Sequence, residues 1–329
     1  MTLIRSLFLS LSLLLTGACA TALAGDEPTR DFHDFAERMT KRHGLDRDKV
    51  LDWLAASERQ QSIIDAISSP AEGLPWHRYR GIFVTPSRIK GGAAFWRRHA
   101  ALLDRAEARY GVPPALIVAI IGVETRYGQY TGRHRVIDAL RTLAFDYPPR
   151  ADFFRGELES FLLLCAEEGI DPLRPKGSYA GAVGMPQFIP SSYRAYAVDF
   201  NDNGRTDLWD EMPDVVGSVA NYLAEHGWQA GQPVITRAEV SGEDWRAFDT
   251  SGLKPNTTVG ELRAAGVDLA ADYPDDSDAR LFVLDGDDGN QYWVARRNFY
   301  VITRYNHSAL YALAVHQLAT AIEERREAR

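Results

Sequence analysis

Glu124 closes a stretch of chain with almost no other polar group. Val112 to Val123 is apolar on every side, and Glu124-Thr-Arg-Tyr-Gly128 follows directly. A helix that is apolar all round is buried, and a carboxylate at its end carries a desolvation cost. Apolar surroundings and the negative end of the helix dipole both disfavour the anion. An acid kept neutral near pH 7 can donate a proton, so Glu124 reads as a catalytic acid. The competing reading is a surface glutamate one turn before a Gly128 stop.

A second stretch, Gly177-Ser-Tyr-Ala-Gly-Ala-Val-Gly-Met-Pro-Gln-Phe-Ile-Pro-Ser191, is dense in small residues. Glycine and alanine at this density let backbone approach a ligand closely. Gln187 adds an amide that donates and accepts, as sugar hydroxyls require. A tightly packed turn between helices is the plain alternative. Aromatics recur in the neighbouring candidate loops: Trp76, Tyr79, Tyr127, Tyr179, Tyr300, Tyr305 and Tyr311. Their rings can stack on the C–H faces of sugars, although each taken singly also suits a core.

Asp199-Phe-Asn-Asp-Asn-Gly-Arg-Thr-Asp-Leu-Trp-Asp210 fits the calcium-loop template. Asp199, Asn201 and Asn203 take the first, third and fifth positions, Gly204 the sharp turn, and Arg205 would offer its carbonyl. Asp210 falls at the closing position, where glutamate is usual, and its shorter side chain implies weaker binding. The expected role is a structural Ca2+, with no catalytic cofactor; an Asx-rich polar turn is the alternative. By contrast, Asp285-Gly-Asp-Asp-Gly-Asn290 suits a hairpin turn better than a cation cage.

The elements that must position these residues are mainly helical. Arg30 to about residue 100 reads as helices with turns, and Trp76–Pro86 as an irregular aromatic segment over a groove. A charged helix is expected over 94–110, with Pro113 and Pro114 opening the buried helix. Two more helices fall over 136–170, broken at Tyr147-Pro148-Pro149, and another over Pro213–His226. The pattern changes near Gly231. Val234–Val240 alternates like a strand, and Leu281–Leu284 with Gln291–Ala295 reads as a hairpin. Helix returns after Asn306. The fold class is therefore mainly α with a small β-containing insertion. The expected division is 25–100, an N-terminal helical domain; 101–230 with 298–329, a helical core; and 231–297, a small β-containing domain.

Residues 1–24 have the form of an export signal: Arg5, an apolar run to Leu15, then Ala22-Leu23-Ala24. Thr16-Gly17-Ala18-Cys19 also resembles a lipobox, in which Cys19 would be acylated. The first reading gives a soluble periplasmic protein, the second an outer-membrane lipoprotein. Cys19 and Cys165 are the two cysteines, so the exported chain has no disulfide framework. Phe161-Leu-Leu-Leu-Cys-Ala166 suggests that Cys165 is a buried, inert thiol. The chain carries 37 Lys+Arg against 45 Asp+Glu, a net −8. Losing residues 1–24 removes one positive charge. Such an acidic chain argues against nucleic acid or anionic lipid as a partner. No stretch beyond residues 1–24 is long and apolar enough for a transmembrane span.

Four motifs in order, Gly122–Gly128, Gly177–Phe188, the calcium-like loop and Arg304-Tyr-Asn-His-Ser308, resemble the membrane-bound lytic murein transglycosylase B family. The resemblance runs from about Phe32 to the last helix. It implies a lysozyme-like helical core and cleavage of the β-1,4 bond between N-acetylmuramic acid and N-acetylglucosamine in peptidoglycan. The implied product is a 1,6-anhydromuramoyl end, formed without water. Carried across, it makes Glu124 the single catalytic acid and then base. Ser178, Gln187, Tyr305, Asn306, Tyr311 and Tyr79 become groove residues. Phe153 stands where the resemblance implies a groove tyrosine, and Met185-Pro186 where Tyr-Gly is commoner. Glycan strands are the implied partner, with other cell-wall enzymes as candidates. Two rival readings stay open: a hydrolytic muramidase, and a non-catalytic calcium-stabilised peptidoglycan-binding protein.

Overall fold

The computed structural model describes residues 30–68 and 73–328; residues 1–24, read above as an export signal, and Cys19 lie outside them. Helix α7 (Pro114–Thr125) runs through the centre, and eleven of its twelve residues are buried. Pro114 suits its first turn because proline has no N–H to lose there. Packed on α7 are α5 (Pro86–Arg98), α6 (Ala100–Tyr110), α11 (Met212–Glu225) and the last helix, α14 (Ala309–Glu327). Helices α8 (Val136–Asp146) and α9 (Ala151–Glu167) form an antiparallel pair beside them, and α10 (Pro190–Tyr196) packs on α9. Cys165 is buried on α9, and burial pushes its thiol up to about 12.

The N-terminal part holds α1 (Arg30–His43), α2 (Arg47–Ala55), α3 (Gln61–Ile67) and α4 (Trp76–Phe83). Two sequence expectations change here. Trp76–Phe83 is a regular helix, not an irregular segment. Trp76, Tyr79 and Phe83 recur at helical spacing, and the first two are fully buried. The charged helix expected over 94–110 is broken at His99, which leaves helical geometry at φ −116°, ψ 23° and separates α5 from α6.

A two-residue ladder pairs β1 (His134–Arg135) with β2 (Lys176–Gly177). The larger sheet is five-stranded and antiparallel, in the order β4-β6-β7-β3-β5. Its strands are β3 (Ile235–Val240), β4 (Thr257–Thr258), β5 (Val267–Leu269), β6 (Asp278–Gly286) and β7 (Gly289–Ala295). Along β6, Leu281 and Phe282 point to opposite faces. Leu281 joins a small cluster with Val259, Leu262 and Val294, while Phe282 joins the main helical core. One face therefore packs against the core, and α12 (Val259–Ala264) covers the other. Helix resumes at Arg297 with α13 (Arg297–Tyr305), earlier than the sequence pattern suggested. Buried Asn298 ties this junction, bonding to the backbone of Gln229 and Gln232.

Candidate active site

Glu124 lies in the last turn of α7 and is half-buried. The Tyr311 hydroxyl donates to its Oε1 at 2.6 Å. Helix α7 then ends on two residues in left-handed geometry, Arg126 at φ 49° and Tyr127 at φ 65°. Such a conformation in non-glycine residues is costly and persists where the surroundings enforce it. Those surroundings are visible. The Tyr127 ring fills space that a Cβ on Gly122 would occupy at 2.6 Å, and its hydroxyl donates to the Arg88 carbonyl at 2.7 Å. Buried Arg88 donates from Nε to the Gly122 carbonyl at 2.9 Å. Thr125 Oγ1 accepts from Gly128 N and bonds to the Met185 carbonyl, each at 3.0 Å. The small-residue loop is thus fastened to the helix that carries the acid.

The other predicted residues gather unequally. Gln187 sits at φ 52°, and its Nε2 donates to the carbonyls of Thr131 and Gly184 at 3.1 and 2.8 Å. Both amide hydrogens are therefore spent, which leaves Oε1 as the group a ligand can use. Tyr305 donates to the Pro186 carbonyl at 2.6 Å and stacks on Tyr311 with centroids 6.4 Å apart. Burial first, and then the Glu124 charge, hold both phenols well above the ordinary tyrosine value, so they act as donors. Tyr305 and Asn306 open onto a cleft of about 700 Å3 that Gln187, Phe188 and Tyr222 also line. Phe153 lines this cleft too, capped by the Arg150 guanidinium at 4.4 Å, so a ring and a cation stand where a hydroxyl was expected. Glu124 and Tyr311 are not themselves in the lining of this cleft; they adjoin it through Tyr305. Two predicted groove residues are not in the lining of this cleft, although Tyr79 adjoins Tyr311. Tyr79 is only 1% exposed and packs on Phe83. Ser178 Oγ accepts from Ala180 N and Ala182 N, and so shapes the loop.

The Transglycosylase SLT domain family matches residues 28–320. Membrane-bound lytic murein transglycosylase B of Escherichia coli is 43% identical over 298 residues, 88% of this chain and 81% of its own. The chain belongs to the lytic murein transglycosylases. Its fold is similar to that of SltB1 from Pseudomonas aeruginosa, with a TM-score of 0.87 and 49% identity, covering 91% of this chain and 99% of that one. It is also similar to Escherichia coli Slt35 in complex with calcium, with a TM-score of 0.83 and 43% identity, covering 91% and 94%. This lytic transglycosylase is accordingly a peptidoglycan-cleaving lyase with a helix-rich, lysozyme-like fold. Among the described residues, no single helix is long and apolar enough to cross a membrane.

In this transglycosylase the calcium-type loop is held largely by its own side chains. Asp199 accepts from Asn203 N and Gly204 N, and Asn203 Oδ1 accepts from Arg205 N. Asn201 and Asn203 both donate from Nδ2 to Glu211 Oε2, at 2.6 and 2.7 Å. Asp210, which the spacing put at the closing position, is exposed and bonded through its N–H to Asp207. Helix α11 begins at Met212, and its N-cap residue, Glu211, faces the asparagine amides instead. A cation facing Glu211 would require those amides to turn, releasing the bonds that their oxygens accept from Asn203 N and Arg205 N. These residue types suit a hard cation, which Asp199, Asn201, Asn203, the Arg205 carbonyl and Glu211 would hold. Buried Asp214, which no sequence pattern marked, closes the loop by accepting from Phe200 N and Asp207 N. Arg88, Thr125 and Tyr127 were also missed as positioning residues; the run Glu-Thr-Arg-Tyr-Gly holds the last two, and nothing in the sequence marked Arg88.

Proposed function

We propose that the chain cleaves the N-acetylmuramic acid–β-1,4–N-acetylglucosamine bond of peptidoglycan and leaves a 1,6-anhydromuramoyl end. Glu124 serves first as acid and then as base. Glycosidases that add water use two carboxylates. The observation that carries this reading is the fixed acid: Tyr311 donates to half-buried Glu124 at 2.6 Å, and Tyr305, which feels the Glu124 charge, lines the cleft. Protonated Glu124 donates to the glycosidic oxygen as the bond to the anomeric carbon breaks. The substrate's own N-acetyl oxygen supports the positive anomeric carbon. The Glu124 anion then takes the proton of the muramoyl 6-hydroxyl, whose oxygen bonds to that carbon. Glu124 ends protonated, and no water is consumed. Gln187 Oε1 and Asn306 orient the sugars, and the phenols of Tyr305 and Tyr311 fix the wall behind them.

Mass spectrometry of digested sacculi tests this reading. Transglycosylation gives muropeptides one water lighter than hydrolysis does, and hydrated ends alone would make the protein a muramidase. Absence of any release would make it a binding protein. The loop 199–211 would hold a structural Ca2+ that braces the base of α11. The reaction is assigned to the periplasm, after export by residues 1–24. Palmitate incorporation abolished by Cys19→Ala would instead fix the protein to the outer membrane.

A further inference from the structure

A second cleft, of about 710 Å3, lies where α4, α5, α14 and the β6–β7 hairpin meet, and it shares no lining residue with the first. Two helices link it to the active site. On α4, Tyr79 belongs to the surroundings of Tyr311, while its neighbour Arg80 lines the second cleft. On α14, Tyr311 holds Glu124, and Gln317 lines the second cleft.

The lining is mostly apolar, with a few polar groups and little charge. Arg80 donates from Nε to Gln317 Oε1 at 2.6 Å, which ties α4 to α14. His77 reaches the Asp285 carbonyl in the hairpin at 3.4 Å. Burial lowers His316 to about 4, so its imidazole is neutral. Trp293 presents an indole whose Nε1 is buried and has no hydrogen-bond partner among the described residues. Asp287 and Glu324 are the carboxylates of the lining, against the single guanidinium of Arg80. That balance disfavours an anionic ligand. An indole, imidazoles and an amide together suit a ligand with an apolar face and a rim of hydroxyl and amide groups.

We propose that this second cleft binds an uncharged saccharide unit of the glycan strand, beyond the sugars held at Glu124. The proposal rests on the glycan-cleaving reading above and extends it to strand length. In the full chain, an N-acetylglucosamine hexamer is expected to shift the Trp293 indole N–H resonance saturably. His77→Ala with Gln291→Ala, both at partly exposed positions, is expected to weaken that shift. The same variant should lose about tenfold in kcat/KM on long glycan strands, equivalent to about 1.4 kcal/mol, and keep wild-type values on a tetrasaccharide. An indole signal unmoved by the hexamer, or moved by a stem peptide lacking sugar, would overturn the proposal. So would equal losses at both substrate lengths. The indole titration needs no turnover, so it remains readable if the products prove to be hydrolytic.

Discussion

Around Glu124 the decisive contacts come from far along the chain. The Tyr311 hydroxyl reaches Glu124 across 187 residues, and the Tyr305 hydroxyl reaches Pro186 across 119. In the loop that begins at Asp199, the backbone donors to Asp199, Asn201 and Asn203 lie two to five residues from their acceptors. The first region is assembled by the packing of α7, α13, α14 and the small-residue loop. The second is assembled within one short segment, residues 199–214. A site of the first kind is only as well placed as the whole core that carries it. A loop of the second kind can keep its shape while the core changes, and can add stability without touching the chemistry. Variants in each region separate these two behaviours.

The largest effect is expected at the acid itself. Glu124→Gln keeps the side-chain shape and removes the transferable proton. Release of soluble muropeptides from sacculi should fall by about 10³-fold, while glycan binding is retained. Turnover close to wild type in this variant would remove Glu124 from the reaction. Next comes its long-range partner. Tyr311→Phe deletes the hydrogen bond to Oε1 and little volume, so kcat should fall roughly 10- to 100-fold with KM nearly constant. A rise in KM alone would mean that Tyr311 binds sugar and does not orient the acid.

The same contrast explains what the sequence could convey. The oxygens at Asp199, Asn201 and Asn203 and the turn at Gly204 are a local pattern, so the loop was readable from spacing. So was the apolar helix ending in Glu124, because period and polarity are local too. That Glu211, not Asp210, faces the two asparagine amides was not readable, because it depends on where α11 starts. Nor was the burial of Tyr79. An aromatic at helical spacing reads alike as core or groove until its neighbours are known, and here Phe83 and Tyr311 enclose it. Arg88 had no signal of its own, and Tyr127 read only as one more candidate aromatic. Their importance comes from meeting Gly122 in space, where a glycine alone leaves room for the Tyr127 ring. The alternation along β6 and β7 announced strands, but the order β4-β6-β7-β3-β5 follows from pairing that no single segment contains.

Acid should act on the two regions differently, through His316. This residue lies on α14, five residues from Tyr311, and burial lowers its imidazole to about 4. The unfolded chain titrates near the ordinary value of about 6.5. Between these values the unfolded state binds the proton and the folded state does not. Stability is therefore intact above about 6.5 and falls as pH drops towards 4, by an amount on the order of 3 kcal/mol. Urea denaturation at pH 4.5 and pH 7 measures it. His316→Leu should flatten this dependence, and an unchanged pH profile in that variant would place the acid sensitivity elsewhere.

The smallest expected effect tests whether the loop is as self-contained as its bonds suggest. Saturating Ca2+ should raise the Tm by a few degrees, the scale expected when a ligand binds only the folded state. Glu211→Gln should abolish that rise, because the carboxylate that faces Asn201 and Asn203 is lost. Asp210→Asn should preserve it, since the Asp210 side chain points to solvent and only its N–H is engaged. Reversed outcomes would return the closing role to Asp210, as the spacing alone has it. Turnover at 25 °C should stay at the wild-type value in both variants. A loss of kcat with Glu211→Gln would mean that the loop's grip on α11 extends through Tyr222, whose hydroxyl donates to the Arg304 carbonyl, into the wall of the active site. The separation between a local brace and a globally assembled site would then fail at that one helix.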